Sequence, residues 1–441
     1  MSTQETRRDG FTTRAGFILA CVGSAVGLGN LWMFPWRLGE YGGAAFLIPY
    51  LFFVYILGTT GLMEEFAFGR WAKRGAMGAY DKVLEEKGLG FGRLLGAYPV
   101  LMILGVLIFY AIVTGWVIRY LASSVTGSFM EVEQVGAYYE GFAGQPESIF
   151  WLLLALAATG GILLFGISKG IERASKFMMP LLLVLLAILM IRSLTLPGSM
   201  AGIRYLLVPD WSYLLKPITW GMALGQAFFS VSLTGASMLV YGSYLDKDFD
   251  IPNAALSTVT LDTIMALMAA LIIMPATFAY GIDPAAGPPL LFITLVSVFT
   301  NMPGGQIIAI LFFLGVLFAA LSSLLNMMEV VVEGAMDQFK WSRRVCVAII
   351  GVLAFLCAIP LAVNQGAFNW FVDLITVYLL PVGAAVAGVL FFWVFGMERA
   401  RAEVNLGAAK PVGRWWNPVA KYVFVGVAIV IIGLQMAFRI G

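Results

Sequence analysis

The amino-acid sequence predicts an all-α polytopic membrane protein with eleven transmembrane helices, and three observations lead to this prediction. They are the composition, the recurrence of long apolar stretches and the placement of the basic residues. Of the 441 residues, 61% are hydrophobic and 12% are charged, and the mean hydropathy is +0.90. Soluble domains contain roughly 45–50% apolar and about 25% charged residues. The composition is therefore that of a chain that lies mostly inside a lipid bilayer.

Eleven apolar stretches are long enough to cross a bilayer, which takes about 20 residues per helix. We number them span 1 to span 11, in chain order. They cover residues 14–38, 42–72, 90–124, 149–167, 176–195, 214–242, 254–281, 305–337, 343–362, 369–396 and 417–439. Spans 3 and 8 are longer than a bilayer requires, so we expect them to tilt or to protrude into water.

The basic residues predict the orientation, because Lys and Arg concentrate in cytoplasmic loops. With the N-terminus placed inside, all but six of the 27 basic residues fall in or beside cytoplasmic segments. The six outside are Arg37, Arg119, Arg192, Arg204, Lys216 and Arg439. The outer loop 125–148 carries four glutamates and no basic residue. We expect a protein of the cell membrane with a cytoplasmic N-terminus and, since the span count is odd, an extracellular C-terminus.

Several classes of function are disfavoured by what the sequence contains. It has no histidine, which removes imidazole metal ligands, a Ser-His-Asp triad and histidine proton relays. Cys21, Cys346 and Cys357 lie in or beside apolar runs, which indicates packing and not a disulfide framework or a zinc site. The charges are spread through short loops, so no nucleic-acid partner is expected. The polar start and the lack of a small-residue cleavage pattern predict no cleavable signal peptide.

Span 1 has a centre that is unsuited to a regular helix. Residues 23–30 contain three glycines together with Ser24 and Asn30. Glycine costs about 1 kcal/mol in a helix relative to alanine, and asparagine favours caps and turns. Close packing through small residues is the alternative explanation. The centre of span 6, residues 230–237, is again small and polar where lipid contact would require apolar side chains.

Two interrupted helices five spans apart predict two inverted halves within a single transporter domain. The first half would be residues 14–195, the second 214–396, and the helix 417–439 would be added outside the repeat. In transporters of this design, half-helices meet at the middle of the bilayer. Their N-terminal ends attract a carboxylate, and carbonyl groups freed by the break accept a cation.

Four motifs carry a resemblance to a known family. They are Ala25-Val26-Gly27-Leu28-Gly29-Asn30 followed by Phe34-Pro35-Trp36, Glu65-Phe66-Ala67-Phe68-Gly69-Arg70, Gln226-Ala227-Phe228-Phe229-Ser230-Val231-Ser232-Leu233, and Ala319-Ala320-Leu321-Ser322-Ser323. In this order, over residues 8 to about 396, the sequence resembles the neurotransmitter:sodium symporter family, and in particular a bacterial sodium-dependent carrier of hydrophobic amino acids. The resemblance implies the LeuT-type fold, sodium-coupled uptake by alternating access, and no enzymatic activity.

The resemblance implies two sodium ions, which prefer oxygen ligands. One site would use the carbonyl groups of Gly23, Val26 and Ala319 and the hydroxyls of Ser322 and Ser323. The alternative is that both hydroxyls bond back to a carbonyl one turn earlier in the helix. The other site would use the Ala25 carbonyl, Asn30, Ser230 and Asp262, and the substrate carboxylate would complete it.

Asp262 is the most informative residue of the second ion site. It lies inside span 7 with no basic residue nearby in sequence, and an acid within the membrane is a functional candidate because burying its charge is costly. The alternative is an aspartate at a helix end exposed to the cytoplasm. Chloride-dependent members of the family are neutral in this region, so we predict that chloride is not required.

The resemblance also implies a substrate pocket. Its residues would be Ala25, Gly27, Gly29, Val106, Tyr110, Phe229, Ser232, Gly235, Ser323 and Met327. Family carriers of amines that lack a carboxylate have an aspartate at the position of Gly27, so this chain expects a ligand with its own carboxylate. The remaining wall is apolar, and Gly235 with Ala236 leaves room for bulky groups. Aliphatic and aromatic amino acids are the expected substrates, the bilayer is the expected surrounding, and no obligate protein partner is evident.

Gate positions are implied on both sides of this pocket. Arg8, Tyr244 and Asp337 fall at inner-gate positions with Phe11 as an aromatic plug, although Arg8 is also explained by the excess of basic residues inside. At the outer gate, Met33 replaces an arginine found in many members. Asp373 lies about one residue away from the position of that arginine's acidic partner, and Tyr110 with Phe229 would form a lid.

Span 5 contains Gly170 and Pro180 with nine residues between them. Both residue types disfavour helix, so local unwinding there could open an inner path for water and sodium.

Three other functions remain as alternatives. A proton-coupled amino-acid carrier of the same fold is disfavoured by the Ser322-Ser323 pair, because proton-coupled relatives often have a cationic side chain at that ion site. An intramembrane enzyme would have to rely on isolated carboxylates. A channel would not need a closed amino-acid pocket.

Overall fold

The computed structural model describes residues 10–132, 134–281 and 291–438, and within these ranges the chain is helical and contains no β-strand. Within the described residues, each of the eleven predicted stretches contains helix. Seven of the described helices are long and apolar enough to cross a membrane, and a bent pair in span 1 makes eight if it is counted as one crossing. Glu147–Leu163 in span 4 and the apolar part Trp416–Val430 of span 11 are shorter apolar helices, and span 6 consists of two shorter pieces.

The first five spans occupy the following residues. Span 1 consists of Arg14–Ala25, the π-helical turn Gly29–Met33 and Phe34–Glu40; span 2 is Ala44–Ala72, span 3 is Gly92–Thr126, span 4 is Glu147–Leu163, and span 5 joins the π-helical Ile167–Glu172 to Arg173–Leu194. Span 3 ends where Gly127 takes up a left-handed conformation with a φ of +77°, which glycine adopts without steric cost.

The remaining spans follow in the same order. Span 6 consists of Pro217–Ser230 and Ser237–Gly242; span 7 is Ile251–Ala279, span 8 is Gly305–Phe339, span 9 is Arg343–Ala362, span 10 lies within Gln365–Asn405, and span 11 runs from Trp416 to Phe438. Span 7 begins after Asp250, whose side chain accepts a hydrogen bond from Asn253 N at 3.1 Å. This N-cap satisfies one of the free N–H groups of the first turn.

Short helices that the sequence analysis did not predict connect the spans. They are Ala76–Glu85, Val135–Glu140, Met200–Leu207 and Thr294–Asn301, with a 3₁₀ turn at Trp211–Leu215. None is long enough to cross a bilayer.

Both predicted interruptions are present. Span 1 loses helical geometry at Val26 and Gly27, and the helices on either side are bent by 51°. Span 6 is non-helical over residues 231–236, where Ser232 and Gly235 have φ angles of +56° and +78°. The first half of span 1 packs against spans 5, 7 and 8, and the second half of span 6 packs against span 2. The two breaks are therefore enclosed by protein, which irregular backbone at membrane depth requires.

Candidate functional site

The break in span 6 is held by a single buried carboxyl group on span 2. Glu65 is 1% exposed. One of its oxygens accepts hydrogen bonds from the backbone N–H groups of Thr234 and Gly235 at 2.9 and 2.8 Å. The other accepts from Met238 and Leu239 at 2.8 and 3.0 Å. The half-helix that starts at Ser237 has N–H groups without helical partners, and its positive end favours an acid. Glu65 was not predicted as a site residue, although it is, like Asp262, an acid inside a predicted span.

The break in span 1 is bridged by hydroxyl groups. The Tyr110 hydroxyl accepts a hydrogen bond from Leu28 N at 2.8 Å. The Ser323 hydroxyl lies 3.3 and 3.2 Å from the carbonyl oxygens of Gly23 and Ser24, and the Ser232 hydroxyl donates to Ser24 O at 3.0 Å. The side chain of Ser232 thus connects the two breaks directly.

Three residues predicted for one ion site meet beside the breaks. The Asn30 amide nitrogen lies 2.8 Å from Asp262 Oδ1, and Ser230 Oγ lies 2.5 Å from Asp262 Oδ2. Asp262 and Asn30 are fully buried, which excludes the alternative of an exposed helix-end aspartate. The Asn30 amide oxygen is buried and accepts no hydrogen bond. A buried carbonyl oxygen without a donor suits a hard cation such as sodium. The residues present therefore fit a cation ligand set.

The residues predicted for the other ion site also lie together. The Ser322 hydroxyl bonds back to Ala319 O at 2.9 Å, which is the alternative that the sequence analysis left open. The Ser323 hydroxyl behaves differently, because it reaches across to span 1. A Cβ atom on Gly23 would lie 3.0 Å from Ser322 Cβ. Spans 1 and 8 are therefore in close contact here, and Val26 lies at the break itself.

A cavity lies between the two breaks and spans 3 and 8. Eight of the ten residues predicted for the substrate line it: Ala25, Gly29, Val106, Tyr110, Phe229, Ser232, Ser323 and Met327. Gly27 does not line the cavity but lies beside two residues that do, because a Cβ atom on it would be 2.5 Å from the Tyr110 hydroxyl and 2.6 Å from Ser323 Oγ.

Gly235 does not lie where the sequence analysis placed it, around the substrate side chain. It packs against span 10, where any Cβ atom would overlap the Gly383 carbonyl group, and its own carbonyl accepts from the Tyr80 hydroxyl at 2.9 Å. Its neighbours Thr234 and Ser237 line the cavity instead, together with Asn326. These three polar residues were missed, because the sequence analysis expected the wall to be apolar.

A second cavity, which we call the vestibule, opens beyond Tyr110 and Phe229. It is formed by residues after the break in span 1 and before the break in span 6, with residues of spans 3 and 10. Met33 and Asp373, the predicted outer-gate residues, both line it. Arg37, one helical turn after Met33, also lines it and donates to Gln226 Oε1 at 3.2 Å. Tyr110, Phe228 and Phe229 border both cavities, so the vestibule leads toward the cavity between the breaks.

The side of the breaks nearest the N-terminus is closed by aromatic rings. The Phe11 ring lies 5.5 Å from that of Tyr241 and 6.3 Å from that of Tyr244. The Tyr244 hydroxyl donates to Glu329 Oε1 at 2.7 Å, and Arg343 forms an ion pair with the same glutamate. Asp337 Oδ1 lies 3.1 Å from Lys340 Nζ. Arg8 lies outside the described residues.

Span 5 is helical at both of its predicted unwinding positions. Gly170 lies in the π-helical turn and Pro180 lies inside the α-helix that follows. Unwinding therefore stays a prediction for another state of the protein. Next to Gly170, Glu172 accepts hydrogen bonds from Thr12 N and Thr12 Oγ1, both at 2.7 Å, from Thr13 Oγ1 at 2.9 Å and from Lys176 Nζ at 2.6 Å. This buried carboxyl group ties the start of span 1 to span 5.

Two broken helices that meet at a cavity, within a bundle of helices of bilayer length, are the arrangement of secondary transporters with discontinuous helices. The described residues contain no group of three His, Cys, Asp or Glu that could hold a metal ion. The comparisons with known proteins agree with this class. The family described as the sodium:neurotransmitter symporter family matches residues 8–140 and 141–439.

This chain belongs to the sodium:neurotransmitter symporter family. It is similar to the uncharacterized sodium-dependent transporter YhdH of Bacillus subtilis, with 35% identity over 97% of each chain. It is 27% identical to the sodium-dependent serotonin transporter of Drosophila melanogaster, over 96% of this chain and 75% of that one. The crystal structure of MhsT in complex with L-phenylalanine superposes with a TM-score of 0.87 and 36% identity, over 96% of this chain and 99% of that one. The predicted family and the predicted all-helical, LeuT-type fold are confirmed, whereas the count of eleven transmembrane helices stays a prediction. The protein is a multi-pass, sodium-dependent membrane transporter and not an enzyme.

Proposed function

We propose that this protein takes up hydrophobic L-amino acids, both aliphatic and aromatic, together with two sodium ions by alternating access. The observation that carries the proposal is the Asn30 amide oxygen, buried beside Asp262 and without a hydrogen-bond donor. Asn30 lies three residues after the break in span 1, and its neighbour Gly29 lines the cavity. A cation bound by Asn30 and Asp262 would therefore lie where the carboxylate of a bound amino acid completes its ligands. Substrate and ion would stabilise one another's binding.

The substrate class is supported by the walls of the cavity and by one relative. Gly27 carries no acid, so the amino acid has to bring the carboxylate that meets Tyr110 and the ion. Ile103, Val106, Leu233 and Met327 provide an apolar wall. The MhsT structure contains L-phenylalanine.

Transport follows from differential binding. A ligand shifts the balance between two states only as far as it binds one of them more tightly. We propose that sodium favours the state in which the vestibule is open and the rings of Phe11, Tyr241 and Tyr244 close the other side. Substrate with both ions permits Tyr110 and Phe229 to close the vestibule. Inward release then requires the N-terminal half of span 1 and the Gly170–Pro180 segment to move.

The remaining sequence predictions belong to this proposal. The vestibule faces outward at the cell membrane, the N-terminus is cytoplasmic and the C-terminus extracellular. The halves 14–195 and 214–396 act as inverted repeats, with the helix 417–439 outside them. The second ion is held by Gly23, Val26, Ala319, Ser322 and Ser323. Arg8 and Asp337 close the inner side, and Met33 and Asp373 border the outer one.

The direct test is uptake of radiolabelled leucine, phenylalanine and tryptophan into proteoliposomes. Sodium, potassium or proton gradients are imposed in turn, with chloride present or replaced by gluconate. We expect uptake that requires sodium and is unchanged without chloride. Uptake driven by a proton gradient in the absence of sodium would favour the proton-coupled alternative and overturn the proposal.

Asp262 provides a sharper test of the charge at the ion site. Asp262→Asn removes the fixed negative charge and keeps the size, so we expect sodium affinity to fall at least about tenfold, since 1.4 kcal/mol is a factor of ten. Because chloride can supply the missing charge, uptake by this variant should become chloride-dependent. The matched control is Asp210→Asn, at an exposed loop position, which should leave the sodium dependence unchanged. Unaltered sodium affinity in Asp262→Asn would contradict the assigned ion site.

A further inference from the structure

The cavity between the breaks has one polar end. Asn326 lies three residues after Ser323 on span 8, which places it about 4.5 Å further along the helix axis at 1.5 Å per residue. Its amide nitrogen donates to Ser237 O at 3.3 Å, and both residues line the cavity with Thr234. The Thr234 and Ser237 hydroxyls are 3.0 Å apart. Tyr110 and the break in span 1 lie at the Ser323 end, so the cavity is polar at two ends and apolar between them.

Thr234 and Ser237 are polar because they help to start a helix, whereas Asn326 does not lie at the start of a helix. The Thr234 hydroxyl accepts from Ser237 N at 3.0 Å and so helps to begin the second half of span 6. Asn326, by contrast, lies inside a continuous helix and is 1% exposed. A buried amide costs free energy unless it is hydrogen-bonded. Its amide nitrogen donates to Ser237 O, whereas an asparagine side chain can form about four hydrogen bonds.

The section between the two ends is apolar. Val106 and Ile103 of span 3, Leu233 of the break and Met327 of span 8 line it. An amino acid with its carboxylate toward Tyr110 would direct its side chain along these walls to Asn326. An aliphatic side chain would end against the amide and leave its hydrogen-bonding capacity unused. A ring with an N–H or O–H at its far edge would satisfy it.

We propose that this pocket prefers aromatic amino acids with a hydrogen-bonding group on the ring, namely tryptophan and tyrosine, and that Asn326 recognises this group. The inference rests on the proposed sodium-coupled amino-acid transport and narrows its substrate class. One hydrogen bond changes binding by roughly three- to tenfold. The preference is therefore a matter of degree, and leucine and phenylalanine remain substrates.

The test compares pairs of competitors that differ in one group. Inhibition of sodium-driven phenylalanine uptake is measured with tryptophan against 3-benzothienylalanine, where sulfur replaces the indole N–H, and with tyrosine against phenylalanine. The wild-type protein should bind the first member of each pair about three- to tenfold more tightly. Asn326→Leu, which keeps a side chain branched at Cγ and has no polar group, should remove both preferences. Asn301→Leu makes the same change at an exposed residue and should keep both preferences.

Each result decides a separate point. If the wild-type protein does not distinguish the members of either pair, or Asn326→Leu retains the preferences, the inference is overturned. The wild-type comparison stands by itself if Asn326→Leu fails to fold. If no amino acid is taken up on a sodium gradient, the proposed function fails first.

Discussion

The two helix breaks are built from different chemical groups. In span 6, four backbone N–H groups converge on the Glu65 carboxyl group, at distances between 2.8 and 3.0 Å. In span 1, backbone groups at the break form hydrogen bonds with hydroxyls from three other spans, those of Tyr110, Ser323 and Ser232. A carboxyl group with four donors has no capacity left for a ligand. A hydroxyl can rotate, and it can donate or accept as its neighbours change.

This difference assigns different tasks to the two breaks. The break in span 6 is satisfied by the protein itself, so it forms a fixed floor for the cavity. The break in span 1 shares its backbone groups with side chains that can turn toward an ion or a carboxylate. We therefore expect substitutions at the break in span 6 to affect stability and substitutions at the break in span 1 to affect ligand binding. Three substitutions can break or sharpen this comparison.

The largest effect is expected for Glu65→Gln. The amide offers one oxygen where the carboxyl group offered two, so two of the four N–H groups lose their acceptor. Each unsatisfied buried group costs about 1–3 kcal/mol, and thermal unfolding in detergent should show the loss. Glu64→Gln is the control, because Glu64 is also buried but its Oε1 accepts no hydrogen bond. Equal destabilisation by the two variants would refute the anchoring role of Glu65.

An intermediate effect is expected for Gly27→Ala at the other break. The added methyl group would lie 2.5 and 2.6 Å from the Tyr110 and Ser323 hydroxyls and would push both away. Overpacking of this kind costs about 1–3 kcal/mol. Substrate affinity should fall about tenfold or more in binding assays, while the unfolding temperature changes less than in Glu65→Gln. Gly161→Ala, which meets no atom within 4 Å, should change neither. A Gly27→Ala protein that unfolds early but binds normally would reverse the comparison.

The smallest effect is expected for Glu172→Gln. This change weakens the tie between the start of span 1 and span 5, so the N-terminal half of span 1 should separate more readily. We expect a severalfold faster reaction of a cysteine placed at the exposed Ala15 with a water-soluble thiol reagent, in a background without Cys21, Cys346 and Cys357. Glu86→Gln removes an exposed ion pair with Arg399, which contributes little, and should react at the background rate. Equal rates would show that Glu172 does not restrain span 1.

Much of the fold and part of the site could be predicted from the sequence. The long apolar runs and the small, polar centres of spans 1 and 6 are local signals, so the helices and both interruptions were found. The break in span 1 is narrower than expected, because residues 23–25 stay helical despite Gly23. The turn at Gly29–Met33 is helical as well, since surrounding helices override weak local propensity.

Other features depend on contacts that sequence patterns do not reveal. The short helix Ala76–Glu85 has no apolar run of bilayer length, so it was not predicted. Asn326 is a single polar residue in an apolar stretch, and its position at the cavity becomes evident only from the folded structure. Asp262 was found because an acid within a membrane is costly wherever it lies. Glu65 carries the same signal, but its four partners come from a segment about 170 residues away.

Gly235 has a consequence for how substrate preference can change. Gly235 has a left-handed backbone conformation, packs against Gly383 of span 10 and accepts a hydrogen bond from Tyr80. A larger residue at position 235 would therefore have to push spans 6 and 10 apart. Main-chain contact therefore leaves no room for a side chain at position 235. Variation that tunes the substrate preference has to act through residues that line the cavity, such as Val106, Leu233 and Met327, and a mutant library aimed at new substrates should leave position 235 untouched.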